Sequence, residues 1–221
     1  MGRPLPSTSV ARFSLTQRGR DKMSDSTLLQ SPLIELEKSG RFQWVGDTIE
    51  LHQSPFMGHI RIRGDLSSPL FVEKIEQATA LPLPASCGGV SFGEDLKIIW
   101  ISPEEWLLVL SSESRVGSMI DRLKTRLEGE HIAFVDTSGG QTVIRVSGEN
   151  AISLLSRGTT LDLHESQFLV GSSAQSILFG ATVLIVRVNS NHSTPLFELY
   201  CRRSFADDLA RRLIDSAQLI K

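Results

Sequence analysis

Read for the spacing of apolar positions, the chain alternates strand-like and helix-like stretches. Thr48 to His52 and Gly58 to Arg63 repeat every second residue, with Ile60 and Ile62 on one face and His59, Arg61 and Arg63 on the other. That phase predicts a solvated His59. Gly64-Asp65 ends the strand, and Ser67-Ser68-Pro69 opens a helix with Ser68 as N-cap and Pro69 at the first helical position. Phe71, Ile75 and Ala78 continue it at helical spacing. Leu81-Pro82-Leu83-Pro84 breaks the pattern, and Gly88 to Gly93 reads as loop. Ile98–Ile101 and Trp106–Leu110 are strands around the turn Ser102-Pro103-Glu104-Glu105. A helix follows, with Val116, Met119, Ile120, Leu123 and Leu127 along its apolar stripe.

The second half repeats this order. Ile132–Asp136 and Gln141–Ser147 read as strands joined by a Ser138-Gly139-Gly140 hairpin, and Gly148-Glu149-Asn150 leads into a helix carrying Ala151, Leu154 and Leu155. Ser173–Leu178, Thr182–Val188 and Leu196–Cys201 are further strands. The last helix places Phe205, Leu209, Leu213 and Ala217 four apart. Ile60-Arg61-Ile62-Arg63-Gly64-Asp65 matches Ile144-Arg145-Val146-Ser147-Gly148-Glu149, each on a strand that runs through a glycine into a helix. The expected class is α+β: duplicated ferredoxin-like β-α-β-β-α layers with helices packed on one face of antiparallel sheet. The expected division is a leader at 1–27, a first repeat at 28–130 and a second at 131–221. The short stretch after the leader supplies Leu33, Ile34 and Trp44 to tack it onto the body.

Composition narrows the function classes. Hydrophobic residues make up 40% and charged residues 22% of 221, an ordinary globular balance. The formal charge of −2 gives no electrostatic case for nucleic acid. Met1 to Lys22 carry five basic residues (Arg3, Arg12, Arg18, Arg20, Lys22) against Asp21, so the body is more acidic than the whole chain. This leader reads either as an organellar transit peptide or as a disordered tail, with Met23 as the true start. Arg3, Pro4 and Pro6 make a poor amphipathic helix, which favours the tail. The longest apolar runs, such as Ala181 to Val186, are far shorter than the roughly 20 residues of a membrane span. Cys87 and Cys201 stand far apart, as free thiols of a reducing, cytoplasmic setting would.

Motifs that suggest chemistry fall short of it. Asp136-Thr137-Ser138-Gly139 resembles half of an aspartic-protease motif, but no second copy supplies the other carboxylate and Ser138 replaces the needed glycine. Arg63-Gly64-Asp65 reads as a strand end and cap approach, not an adhesion site. His52, His59, His131, His164 and His192 lack zinc-ligand spacing. His164-Glu165-Ser166 holds triad residue types without triad geometry. Gly88-Gly89-Val90-Ser91-Phe92-Gly93 has neither the lysine of a P-loop nor the dinucleotide spacing. Trp100 and Trp106 read as core or subunit-contact residues before an aromatic clamp. No residue is assigned a catalytic, cofactor-binding or metal-binding role on this reading.

Taken in order, Trp100-Ile101-Ser102-Pro103-Glu104-Glu105-Trp106-Leu107-Leu108, Asp136-Thr137-Ser138-Gly139-Gly140-Gln141-Thr142, Val146-Ser147-Gly148-Glu149-Asn150-Ala151, Leu155 to Asp162, and Arg203-Ser204-Phe205-Ala206 resemble the gamma subunit of heterotetrameric sarcosine oxidase. The resemblance spans roughly Leu28 to Leu219. It implies a complex that oxidatively demethylates sarcosine to glycine, passes the one-carbon unit to tetrahydrofolate and reduces oxygen to hydrogen peroxide. It implies alpha, beta and delta partner subunits holding NAD and folate, FAD and FMN, and zinc respectively, with none in this chain. It also implies a fold similar to the folate-binding aminomethyltransferase type. Two alternatives stand beside it: a folate-dependent one-carbon protein acting alone, and a small-molecule-sensing module of paired layers.

Overall fold

The computed structural model describes residues 30–40, 42, 48–54, 56–129, 132–188 and 194–220; the basic leader, Trp44, His131 and His192 lie outside the described residues. After a short helix α1 (Ile34–Lys38), each half runs strand, strand, helix, three strands, helix. The first copy is β1 (Glu50–Gln53), β2 (Gly58–Arg63), α2 (Pro69–Thr79), β3 (Val90–Phe92), β4 (Leu96–Ser102), β5 (Glu105–Leu110) and α3 (Val116–Arg126). The second is β6 (Ala133–Asp136), β7 (Gln141–Ser147), α4 (Ala151–Ser156), β8 (Ser173–Leu178), β9 (Ala181–Val188), β10 (Leu196–Arg202) and α5 (Ala206–Ala217). The α+β class and the duplication are as the sequence led us to expect. Each copy holds two strands beyond the β-α-β-β-α pattern, and one of them, β3, lies in the glycine-rich stretch read as loop.

The strands form two five-stranded antiparallel sheets, ordered β1-β7-β10-β9-β8 and β6-β2-β5-β4-β3. One order maps onto the other when the copies are exchanged, and each sheet takes its first strand from the opposite copy. A boundary at 130/131 therefore divides the order of elements but not the sheets. β1 pairs with β7, setting His52 opposite Arg145, and β6 pairs with β2, setting Val135 opposite Arg61. The backbone extends both exchanges identically: Ser54 N–H donates to Val143 O at 3.0 Å, and Thr137 N–H to His59 O at 2.8 Å.

This arrangement overturns the hairpin expected at Ser138-Gly139-Gly140. β6 and β7 lie in different sheets, and a 3-10 turn over Ser138–Gly140 carries the chain across. Turn chemistry specifies a change of direction, not the partner of the strand that follows. Ser138 fixes the crossing. Its hydroxyl donates to Asp136 Oδ1 at 2.6 Å and accepts the His59 N–H at 3.0 Å.

Layering follows from the alternation. Ile60, Ile62, Ile98, Trp106 and Leu108 pack on Phe71 and Ile75 of α2 and on Met119 and Leu123 of α3. Leu51, Ile144, Val146, Phe197 and Leu199 pack on Leu154 and Leu155 of α4 and on Leu209 and Leu213 of α5. The opposite sheet faces meet each other through Ile99, Leu107 and Val109 on one side and Val143, Leu184, Val186 and Tyr200 on the other. The molecule is thus helix, sheet, sheet, helix, and β5 and β10 are buried on both faces. Each such side chain contributes about 1.5–3 kcal/mol. At the sheet edges away from the exchange, Gly89 and Ser172, equivalent residues of the two copies, pair with each other as an isolated bridge.

Local signals held in most places. Ser68 Oγ accepts from Phe71 N at the start of α2, with Pro69 behind it. Phe205, expected on the buried face of α5, instead occupies the exposed 3-10 turn before it. No helix among the described residues is long and apolar enough to cross a membrane.

The equivalent glycines Gly64 and Gly148 follow β2 and β7. A Cβ at Gly148, whose φ is +114°, would lie 2.2 Å from Thr48 O; at Gly64 it would meet the Phe71 ring at 2.4 Å. By contrast, Gly139 has open space around its Cβ position and no positive φ. Gly148→Ala is expected to lower stability by at least ~2 kcal/mol and Gly139→Ala by less than ~0.5 kcal/mol, measured by urea unfolding. Equal effects would contradict the close approach of the two segments.

Candidate functional site

The most concentrated polar chemistry lies between the sheets. β10 is almost wholly apolar, yet it carries Glu198 at 1% exposure. Its register places Glu198 opposite Arg145 of β7, whose Nε and Nη2 donate to Oε1 at 3.2 and 2.9 Å. Tyr200, two residues on and so on the same face, donates its hydroxyl to Oε2 at 2.6 Å. Lys97 reaches the same oxygen from β4 of the other sheet at 2.5 Å. Both carboxylate oxygens are therefore doubly engaged, and one of the partners belongs to the opposite sheet.

Electrostatics agrees with a fixed charge. Burial alone would push the Glu198 carboxyl up, but Lys97, the Tyr200 hydroxyl and Arg145 together hold it below its usual range. Burial, then the neighbouring Glu198 carboxylate, pushes the Tyr200 phenol well above its ordinary value, so it remains a donor. A carboxylate with four donors on it has no lone pair left for abstracting a substrate proton. The cluster works as an ionic clasp between the sheets. Arg61, at the position of Arg145 in the first copy, faces Leu107 where Arg145 faces Glu198, and pairs instead with Glu105, two positions away along β5.

His59 lies beside the clasp and corrects the sequence reading. It is 2% exposed, not solvated, because the face of β2 opposite the helices is covered by the second sheet. Its ring meets Tyr200 edge-on at 5.8 Å between centroids. Neither ring nitrogen has a partner among the described residues. Burial, opposed by the Ser138 hydrogen bond and by Asp136 and Glu198, lowers its pKa to about 4.

The other candidates are dispersed. Asp136 accepts from Ser138 and serves the crossing. Asp65 accepts from Ser67 N and Oγ, the approach to the α2 cap. His164 Nδ1 and Ser166 Oγ do meet, at 2.8 Å, but Asp162 takes the His164 backbone N–H and not its ring. That is a local exposed turn, not a relay. Gly88, at φ +73°, lets its carbonyl accept Ser173 N–H at 2.7 Å, so the glycine-rich stretch joins the copies. Trp100 and Trp106 face each other across β4 and β5; Trp106 is fully buried with Nε1 donating to Pro84 O at 2.8 Å. His52 lies on β1 next to Arg145, with its pKa lowered mainly by burial. Cys87 is exposed and Cys201 buried, its thiol pushed up to about 12 by that burial. Among the described residues no three of His, Cys, Asp and Glu are placed to share a metal ion.

Sequence reasoning missed the clasp. A glutamate in the run Leu196-Phe197-Glu198-Leu199-Tyr200 was its one signal, and the arginines repeated at positions 61 and 145 were the other.

Two exchanged-strand copies, layered helix–sheet–sheet–helix and clasped by an internal ion cluster, define a duplicated α+β protein of the aminomethyltransferase fold type. Aminomethyltransferase T of the glycine cleavage system from Bartonella henselae superposes with a TM-score of 0.58 at 17% identity, covering 86% of this chain and 51% of that one. Residues 63–218 match the sarcosine oxidase, gamma subunit family, and the chain belongs to that family. It is 23% identical over 201 residues to sarcosine oxidase subunit gamma from Corynebacterium sp. (strain P-1), covering 88% of this chain and 95% of that protein. The Arthrobacter sp. subunit gamma is 28% identical over 166 residues, covering 75% and 80%. A chain of the heterotetrameric sarcosine oxidase from Corynebacterium sp. U-96, in complex with pyrrole 2-carboxylate, superposes with a TM-score of 0.77 at 24% identity, covering 87% and 96%.

Two predictions follow from the cluster. Between pH 6.5 and about 4 the unfolded chain holds a proton on residue 59 that the native state does not, so stability rises with pH across that window. The residue accounts for a loss of roughly 3 kcal/mol on acidification, complete near pH 4. His59→Val, which installs the residue of the equivalent position Val143, should flatten that part of the pH–stability curve; an unchanged slope would refute it. For the clasp, Lys97→Met should cost about 3–5 kcal/mol by leaving Glu198 short of a buried counter-charge. Adding Glu198→Gln should recover part of that cost, because the buried carboxylate that lost Lys97 is then gone, and only part, because Arg145 loses its anion. Simple additivity in chemical denaturation would show that Lys97 and Glu198 are not coupled.

Proposed function

We propose that this chain acts in a heterotetrameric sarcosine oxidase as its non-catalytic gamma subunit, assembling with alpha, beta and delta subunits in the cytoplasm. The observation that carries this is family membership through residues 63–218, with curated relatives and a solved chain of such an oxidase matched along most of their length. The complex oxidatively demethylates sarcosine to glycine and passes the one-carbon unit to tetrahydrofolate. On this reading FAD, FMN, NAD, tetrahydrofolate and zinc reside in the partners.

The geometry supports a structural role. The space between the sheets, where a ligand shared by the two copies would lie, is filled by side chains such as Ile99, Val109, Val143 and Val186. The Glu198 carboxylate within it is held by Lys97 and Arg145. A rigid subunit of this kind stabilises its partners by binding only their folded form.

Co-expression with the three other subunits should yield a complex containing this chain in equimolar amount. The purified chain alone should give no calorimetric signal with tetrahydrofolate and no turnover of sarcosine. A chain that stays outside the complex, or that binds tetrahydrofolate by itself, would overturn the assignment.

A further inference from the structure

Arg187 is a buried cation with no counter-ion among the described residues. It lies near the end of β9 on the helix-facing side, at 8% exposure. Its Nη1 donates to Phe168 O at 2.6 Å, and its guanidinium lies 5.9 Å from the centre of the Phe197 ring. Among the described residues no carboxylate pairs with it. A guanidinium carries five donors, and burying that charge without an anion is costly. Lys97, by contrast, half-buried between the sheets, has Glu198.

The arginine forms the floor of a shallow surface cavity of about 630 Å³, walled by His164, Glu165, Ser166, Leu169 and Val170. Leu169 and Val170 are 59% and 52% exposed. They sit at the tip of a turn that is tightly held. Ser172 N–H donates to Leu169 O at 3.0 Å, and Gly171, at φ +87°, occupies the position where a turn needs a left-handed residue. Gly171 N–H donates to Arg187 O, and Arg187 N–H to Ser172 O, both at 2.9 Å. The same residue thus anchors the turn through its backbone and offers its charge beside it. Phe92, 42% exposed on β3 of the first copy, lies next to Gly171 and extends the apolar rim across the junction of the copies.

An unpaired buried arginine ringed by exposed, rigidly held apolar residues has the composition of an interface centre, where Arg is enriched and surrounding apolar contacts exclude water. Resting on the subunit reading above, we infer that this surface docks another subunit of the oxidase, which inserts a carboxylate between flanking apolar side chains to pair with Arg187. Charge complementarity selects that partner chemistry. A guanidinium can engage both oxygens of a carboxylate, and the burial of Arg187 strengthens the pair. Glu165 on the wall repels the incoming carboxylate and so limits the affinity.

The test uses the co-expressed four-subunit complex with single tagged partners, reading the fraction of this chain retained. Leu169→Ser with Val170→Ser alters only exposed side chains and should leave the melting temperature of the isolated chain unchanged while weakening retention at least ~tenfold. Arg187→Met, which keeps an apolar stem, should weaken it similarly, and Glu165→Gln should strengthen it. A photo-cross-linker at position 169 should capture a partner subunit through an acidic segment. Wild-type retention by both the Leu169/Val170 and Arg187 variants would overturn this surface while leaving the subunit assignment intact. Failure of the wild-type chain to join would overturn both. Normal assembly of the variants with acetate raising the melting temperature only when Arg187 is present would identify a small-carboxylate site instead, and would overturn docking.

Discussion

Neither sheet of this protein is complete without a strand from the other copy. β1 closes the sheet built by the second half, and β6 closes the sheet built by the first. The exchange means that neither half can pair all its backbone groups alone, and unpaired buried amides are costly. The two segments that cross between sheets, around Ser54 and Thr137, therefore commit the halves to one cooperative unit. Everything else in the fold is arranged around that commitment.

The sheet–sheet interface shows how the commitment is reinforced. Apolar packing of Ile99, Leu107 and Val109 on Val143, Leu184 and Val186 supplies non-directional attraction. Glu198 adds direction: with Lys97 on one sheet and Arg145 and Tyr200 on the other, it tolerates a single relative placement. A buried ion cluster adds less net stability than apolar residues of the same volume. Its contribution here is to fix the register of two sheets that apolar contact alone would let slide. The Gly89–Ser172 bridge secures the far edge, so the sheets are held at both ends and in the middle. The space between the sheets is packed with apolar side chains, while Arg187 borders a surface cavity beside the exposed Leu169 and Val170. That distribution suits a subunit whose business is with neighbours.

Much of this was legible from residue spacing. The stripes Phe71-Ile75-Ala78 and Leu209-Leu213-Ala217, the Ser68-Pro69 start of α2 and the alternation of β2 and β7 are local consequences of helix and strand periodicity, and they stand as read. The duplication was visible as well, because Arg61-Ile62-Arg63-Gly64 and Arg145-Val146-Ser147-Gly148 fall at equivalent points of the two sheets. His59 was misread because period-two alternation says which residues share a face, not whether a second sheet covers it. β3 was missed because Gly88, Gly89 and Gly93 mark flexible backbone whether or not a neighbouring strand happens to pair with Val90–Phe92.

The sequence by itself determined the α+β class, the repeated order of elements, the helix-facing core residues and the family resemblance, since all of these rest on interactions within a few residues or on ordered motifs. Only the tertiary structure decided which strands pair. A crossing and a hairpin ask the same turn chemistry of Ser138-Gly139-Gly140, and the difference lies in a hydrogen bond to His59, nearly eighty positions away in the chain. Only the tertiary structure, too, told the buried charge that has a counter-ion from the one that has none among the described residues. Glu198 and Arg187 are each a buried charged residue in a largely apolar strand; one meets a lysine from the opposite sheet, and the other borders a surface cavity.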